Sequence, residues 1–160
     1  MISDYEERMK RIERILDQVA KEHGSLANNL GDVAEDTFYA GLESTKRLGQ
    51  QKFTTIARNV RDFKGNEYDI VLMNGSTVAV LEVKQKVHPK DVEELVTKTI
   101  PAFRNSYPQY KDYKLYGGLA GLSFPIDARV DAEKQGLFVL AQSGKNIKLE
   151  NYDGFKPKVL

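Results

Sequence analysis

The sequence predicts an α/β domain, a mixed β-sheet flanked by helices. Two observations carry that expectation. Apolar residues recur every three or four positions up to Leu42, then every second position once Lys52 is passed. The runs also alternate in kind: helix, three strands, helix, strand, helix, strand. A mixed sheet covered by helices accommodates that order.

In the leading segment Ile2, Tyr5, Met9, Ile12, Leu16, Val19 and His23 make a heptad seam among Glu, Lys, Arg, Asp and Gln. Residues 1–24 are expected as an amphipathic helix ahead of a domain over 25–160. The seam either packs on its own domain or joins two copies as a short coiled coil. Three heptads are marginal alone, so a homodimer would need further contacts. Gly24 and Ser25 break the helix. A second one follows over Leu26 to Leu42, with Leu30, Val33, Ala34, Thr37, Phe38 and Leu42 on its apolar face and Glu35 at the edge of that face.

Phe53 to Val60 reads as a strand, and Asp62 to Asn66 as a turn. Tyr68–Met73 and Thr77–Val83 flank Asn74-Gly75, the signature of a two-residue type I′ hairpin. His88-Pro89-Lys90-Asp91 opens a helix whose face is Val92, Leu95, Val96 and Ile100. Pro101 is expected to bend or end it. A Tyr- and Lys-rich connection, Tyr107 to Tyr113, leads to a strand over Lys114–Phe124. Pro125 and Asp127 begin a short helix, Leu137–Gln142 is a strand, and the tail from Ile147 adds an edge strand.

Composition narrows the chemistry. The chain has no cysteine and two histidines, which excludes disulfides, thiolate zinc sites and a three-histidine centre within one chain. An intrinsic metal site must rest on carboxylates, which suit Mg²⁺ or Mn²⁺. Net charge is +1, so any nucleic-acid surface would be a local basic patch. Neither a signal-peptide pattern nor a membrane-length apolar run is present, and a cytoplasmic protein is expected.

The hairpin concentrates the charge. With a two-residue loop, Met73 faces Ser76, Asp69 faces Val80 and Glu67 faces Glu82. Glu67, Asp69, Glu82 and Lys84 then project from one side, with Ile70, Leu72, Ala79, Leu81 and Val83 on the other. Asp69 and Glu82 become diagonal neighbours, roughly 7–8 Å apart. Like charges so placed repel, and a divalent cation between them relieves the repulsion.

Glu67-Tyr68-Asp69-Ile70 followed by Glu82-Val83-Lys84 resembles the motif of the PD-(D/E)XK nuclease superfamily. Gly31-Asp32-Val33-Ala34-Glu35 is similar to its first-helix glutamate segment. Tyr68 stands where the motif has proline. The resemblance runs from about Leu30 to Gln142, and the helix ahead of it looks like a coiled-coil leader of some bacterial and archaeal members. It implies a restriction-endonuclease-like fold and Mg²⁺-dependent (or Mn²⁺-dependent) hydrolysis of phosphodiester bonds. In that implication Asp69, Glu82 and the Val83 carbonyl ligate the metal. Glu35 completes the site or helps bind a second ion, and Lys84 orients or helps deprotonate the water and stabilises charge on the phosphate.

DNA is the expected partner, with RNA an alternative, and a structure-directed dimeric endonuclease is the first reading. The competing one is a catalytically inactive nuclease-fold module for nucleic-acid binding or assembly, which the near-neutral charge favours. Arg58, Asn59, Arg61, Gln85 and Lys86 are candidates for contacting nucleic acid. Lys90, Lys98, Arg104, Lys111 and Lys114 sketch a basic rim diluted by acids. Tyr107, Tyr110, Tyr113 and Tyr116, spaced by three, suit packing of a loop onto the sheet better than base stacking. Gly117, Gly118 and Gly121 lack the order and the Lys-Ser/Thr ending of a phosphate loop and suit close helix–sheet packing instead.

Overall fold

The computed structural model describes residues 4–22, 24–144 and 146–160, and the side chains of all of these but 16–30. The chain forms two compact units, up to Val33 and from Ala34 to Leu160. In the first unit, helix α1 (Asp4–Glu22) opens with Asp4, Glu6 and Glu7, negative charges that favour a helix N-terminus. Tyr5, Met9 and Ile12 of the heptad seam are exposed. Ile2, His23 and the side chains of Leu16 and Val19 lie outside the described residues.

Helix α2 (Gly24–Thr45) crosses into the second unit. There Ala34, Phe38 and Leu42, four residues apart, are buried. A small ribbon follows, β1 (Arg47–Leu48) and β2 (Gln51–Lys52), turned by Gly49 at φ 59°. Its two-residue strands fall below the reach of an alternation pattern.

The main sheet has six strands in sequence order: β3 (Thr55–Arg61), β4 (Glu67–Met73), β5 (Thr77–Lys86), β6 (Lys114–Ser123), β7 (Phe138–Ser143) and β8 (Asn146–Leu149). The first three are antiparallel, β5, β6 and β7 run parallel, and β8 returns antiparallel as the expected edge strand. Helices connect the parallel strands, as that geometry requires. This is the expected mixed-sheet α/β architecture.

Two cores sandwich the sheet. Ile70, Leu72, Ala79 and Leu81 pack with Phe38 and Leu42 of α2. Val71, Val78, Val80 and Leu119 pack with Val92, Leu95, Ile100 and Phe103 from the other side. Those four last residues belong to α3 (Pro89–Glu94), a π-turn (Leu95–Thr99) and α4 (Ile100–Ser106), which run on as one helical stretch. Pro101 therefore does not end the helix. The Ile100 amide reaches back five residues to the Leu95 carbonyl, and this widened turn absorbs a proline ring that has no N–H to give. α5 (Ile126–Lys134) adds Ala128 and Ala132 to the same core.

The β4–β5 hairpin departs from the expected register. Met73 pairs with Val78 rather than Ser76, and Gly75 does not take a positive φ, so the loop is not a two-residue type I′ turn. The cause is Asn74. Its Oδ1 accepts from the Ser76 and Thr77 amides at 2.9 and 2.7 Å, and its Nδ2 donates to the Lys52 carbonyl at 2.8 Å. These bonds close a four-residue loop over Asn74–Thr77. Within the paired stretch, from Ile70 to Met73 and from Val78 to Leu81, a two-residue change of register leaves the side chains on their faces.

The tyrosine run packs as a loop. Tyr107, Tyr110 and Tyr113 adjoin one another beside Phe103, and Tyr68 touches Phe103 and Tyr107. Arg104 donates to the carbonyls of Tyr110, Tyr113 and Leu160, at 2.9, 3.1 and 2.8 Å, and so serves this loop rather than a basic rim. Among the described residues no helix is long and apolar enough to cross a membrane.

Candidate active site

β4 and β5 part company just where the acidic residues stand. Their ladder runs from Met73–Val78 to Ile70–Leu81 and stops. Beyond it β4 stays paired with β3 (Val60–Tyr68, Arg61–Glu67), while β5 stays paired with β6 through Glu82–Leu119, Val83–Ala120 and Lys84–Gly121. The sheet forks. Continued one step past the last pair, this register would set Asp69 level with Glu82 rather than diagonal to it, and the two carboxyls interact electrostatically.

A backbone device accompanies the fork. Asn59 takes a left-handed φ of 51°, a conformation Asn tolerates better than most residues. Arg58 and Val60 pair on either side of it, while Asn59–Asp69 is missing from the ladder. Alternation resets here. Ile70 belongs to the α2-side core and Tyr68, two residues earlier, to the opposite one. Asp69 sits at the reset.

The Asp69 carboxylate replaces the missing ladder acceptor: its Oδ2 accepts from the Val83 amide at 2.8 Å. In a strand the N–H and C=O of one residue point the same way, so the Val83 carbonyl also faces the fork. Lys84 Nζ stands 3.6 Å from Glu82 Oε1. Burial pushes the Glu82 carboxyl up to about 7, helped by repulsion from Asp69 and Asp91 and opposed by Lys84. Burial also raises Asp69, against the pull of its bond to the Val83 amide. Two partly buried carboxylates thus share one ammonium, and each holds its proton more tightly than a solvated carboxylate does.

Glu35 approaches from α2. Burial raises its carboxyl, Asp69 adds to the rise, and Arg58 opposes it. Arg58 lies 3.5 Å from Glu35 and 2.6 Å from Asp36, with its guanidinium 5.0 Å from the centre of the Tyr39 ring. Its Nε is buried without a hydrogen-bond partner. Arg58 therefore clamps the glutamate segment of α2. Arg61 lies 3.5 Å from Glu67, and Gln85 and Lys86 are exposed where β5 runs out past the fork. Asp91, buried on α3 and bonded to the His88 amide at 2.8 Å, adds negative charge behind Glu82. Only its distance in sequence hid it. Asn59 was expected to contact nucleic acid, and its left-handed backbone at the fork is a part that a strand pattern does not announce.

Among the described residues, no three His, Cys, Asp or Glu side chains gather as a metal cage. Mg²⁺ does not require one. It is held by one or two carboxylates and keeps waters and substrate oxygens in its remaining positions. Asp69 and Glu82, repelling each other beside the Val83 carbonyl, fit that demand.

No family model and no curated protein matches the sequence. Among solved structures, the chain is similar to a repair endonuclease from Pyrococcus abyssi, at 19% identity and a TM-score of 0.47 over 66% of this chain and 45% of that one. It thus spans less than half of that protein's length. It is also similar to the small subunit of the heterodimeric restriction endonuclease R.BspD6I, at 13% identity and a TM-score of 0.34, over 71% of this chain and 72% of the other.

Proposed function

We propose that this protein is a metal-dependent endonuclease of restriction-endonuclease-like type. The observation that carries the reading is the fork, beside which Asp69 and Glu82 repel each other, with Lys84 3.6 Å from Glu82. Asp69, Glu82 and the Val83 carbonyl would hold Mg²⁺ or Mn²⁺, with Glu35 on α2 adding negative charge beside Asp69. A bound ion would supply a water of lowered pKa and positive charge against the phosphodiester. Lys84 donates to the attacking water or to a phosphate oxygen and balances the charge that builds there. Arg58 fixes the rotamer of Glu35 through its ion pair.

DNA is the substrate in this reading. Two copies joined along the α1 seam, whose Tyr5, Met9 and Ile12 are exposed, would bring two sites to two strands. The test is titration calorimetry with Mn²⁺ on the wild type, D69A and E82A, followed by cleavage of branched, duplex and single-stranded DNA and of RNA. Binding and cleavage in the wild type, with cleavage reduced at least about a hundredfold in both variants, are expected. Full cleavage in D69A sinks the assignment. Nucleic-acid binding without metal or cleavage, unchanged in D69A, would favour the inactive binding module that the net charge of +1 also suits.

A further inference from the structure

The turn between β3 and β4 stands at the fork end of the sheet, three residues ahead of Asp69 at its nearer end. Its Phe63 is 80% exposed, the most exposed large apolar side chain among the described residues. Full burial of a phenylalanine is worth about 1.5–3 kcal/mol, so a loose loop would fold such a side chain down. This turn cannot. The Asp62 carboxylate accepts from the Lys64 and Asn66 amides at 3.0 and 2.9 Å and from Asn66 Nδ2 at 3.0 Å. It also accepts from the Tyr68 hydroxyl at 2.8 Å and from the hydroxyl of Ser106 on α4 at 2.7 Å. The Asp62 amide donates to the Asn66 carbonyl at 3.0 Å, and Gly65 takes the φ of 85° that closes the turn. Five donors on one carboxylate pin the turn to the helix behind it and hold the ring out.

Two cations belong to this turn. Lys64 Nζ lies over the ring, 5.7 Å from its centre, and Arg61, 73% exposed and 3.5 Å from Glu67, sits at the foot of the turn. An exposed aromatic ring with cations close to it in the chain matches one chemistry well. A nucleobase offers a π-face to stack on, and its two neighbouring phosphates offer negative charge.

We propose that the Asp62–Asn66 turn is a nucleic-acid contact that stacks Phe63 on an unpaired or splayed base beside the fork, with Arg61 and Lys64 on the flanking phosphates. The proposal rests on the nuclease reading and adds a preference for single-stranded or branched substrate.

The chain contains no tryptophan, so F63W places a lone reporter at the tip. Full-length wild type, F63A and F63W are titrated with fluorescein-labelled single-stranded, branched and duplex DNA and with single-stranded RNA, Ca²⁺ replacing Mg²⁺. F63A should bind single-stranded or branched DNA about tenfold more weakly, and F63W should bind as the wild type does. The emission of F63W should be quenched on binding and unchanged by fully paired duplex. Equal binding by wild type and F63A, or binding that leaves the F63W emission unmoved, overturns the stacking role and leaves the nuclease reading standing. Absence of binding to any strand by the wild type removes both.

Discussion

Glu82 holds its proton up to about pH 7 because burial and Asp69 outweigh Lys84. An acid whose native pKa is raised binds a proton that the unfolded chain has already released. Between about pH 4.5, its ordinary value, and pH 7, native Glu82 stays protonated while the unfolded side chain ionises, so stability falls as pH rises. Asp69 and Glu35 are raised too and act in the same direction. In EDTA the protein should therefore melt lower at pH 8 than at pH 5. E82Q should flatten that dependence and raise the melting temperature at pH 8 by roughly a few degrees. Thermal scans at the two pH values check this, and a wild-type melting point that climbs from pH 5 to pH 8 contradicts it. Asp62 behaves oppositely: burial would raise it, but bonds from Ser106, Asn66 and Tyr68 hold it well below the carboxylate range. At this scale the sequence disclosed residue types and little of their partners. Arg58 read as a phosphate contact, and its bond to Asp36 belongs to a helix more than twenty positions earlier.

Most elements were legible, because their signals are local. The helical face of Phe38 and Leu42, the strand runs and the edge strand at 146–149 need only periodicity. What the periodicity missed was set by particular side chains. The hairpin register depends on Asn74 bonding the Ser76 and Thr77 amides and the Lys52 carbonyl, and the helix runs on through Pro101, which was expected to bend or end it, by a π-turn that no propensity announces. The site's layout shifted with the hairpin, by two residues of register. Gly118 packs closely as expected, but against the neighbouring strands rather than a helix. A Cβ there would lie 2.5 Å from Leu81 Cδ2 and 3.0 Å from Phe138 Cβ, between the two strands that flank β6. G118A should destabilise the domain by about 1–3 kcal/mol through overpacking, read from urea unfolding. An unchanged midpoint would mean the sheet yields more easily than its packing suggests.

Across the whole chain, the first unit presents an apolar seam and the second carries its own two-sided core. Exposed Tyr5, Met9 and Ile12 on one helix would be costly in an isolated monomer and well used in a pair. Light scattering at micromolar concentration should give twice the chain mass for the wild type and the chain mass for I12K. A monomeric wild type would remove the dimer. Fold class was readable at this scale because the order of elements leaves few layered solutions. Assembly was not, since a heptad seam serves a neighbour in the same chain as readily as one in another.

The fork has a mechanical meaning as well. Asp69 is mounted on the β3–β4 pair and Glu82 on the β5–β6 pair, and the two mounts are joined at the Ile70–Leu81 step. Opening or closing the fork about that step would break neither outer ladder. Among the described residues, the hydrogen bond from the Val83 amide to Asp69 crosses the gap at 2.8 Å. An ion entering the fork would compete with that amide for the Asp69 carboxylate.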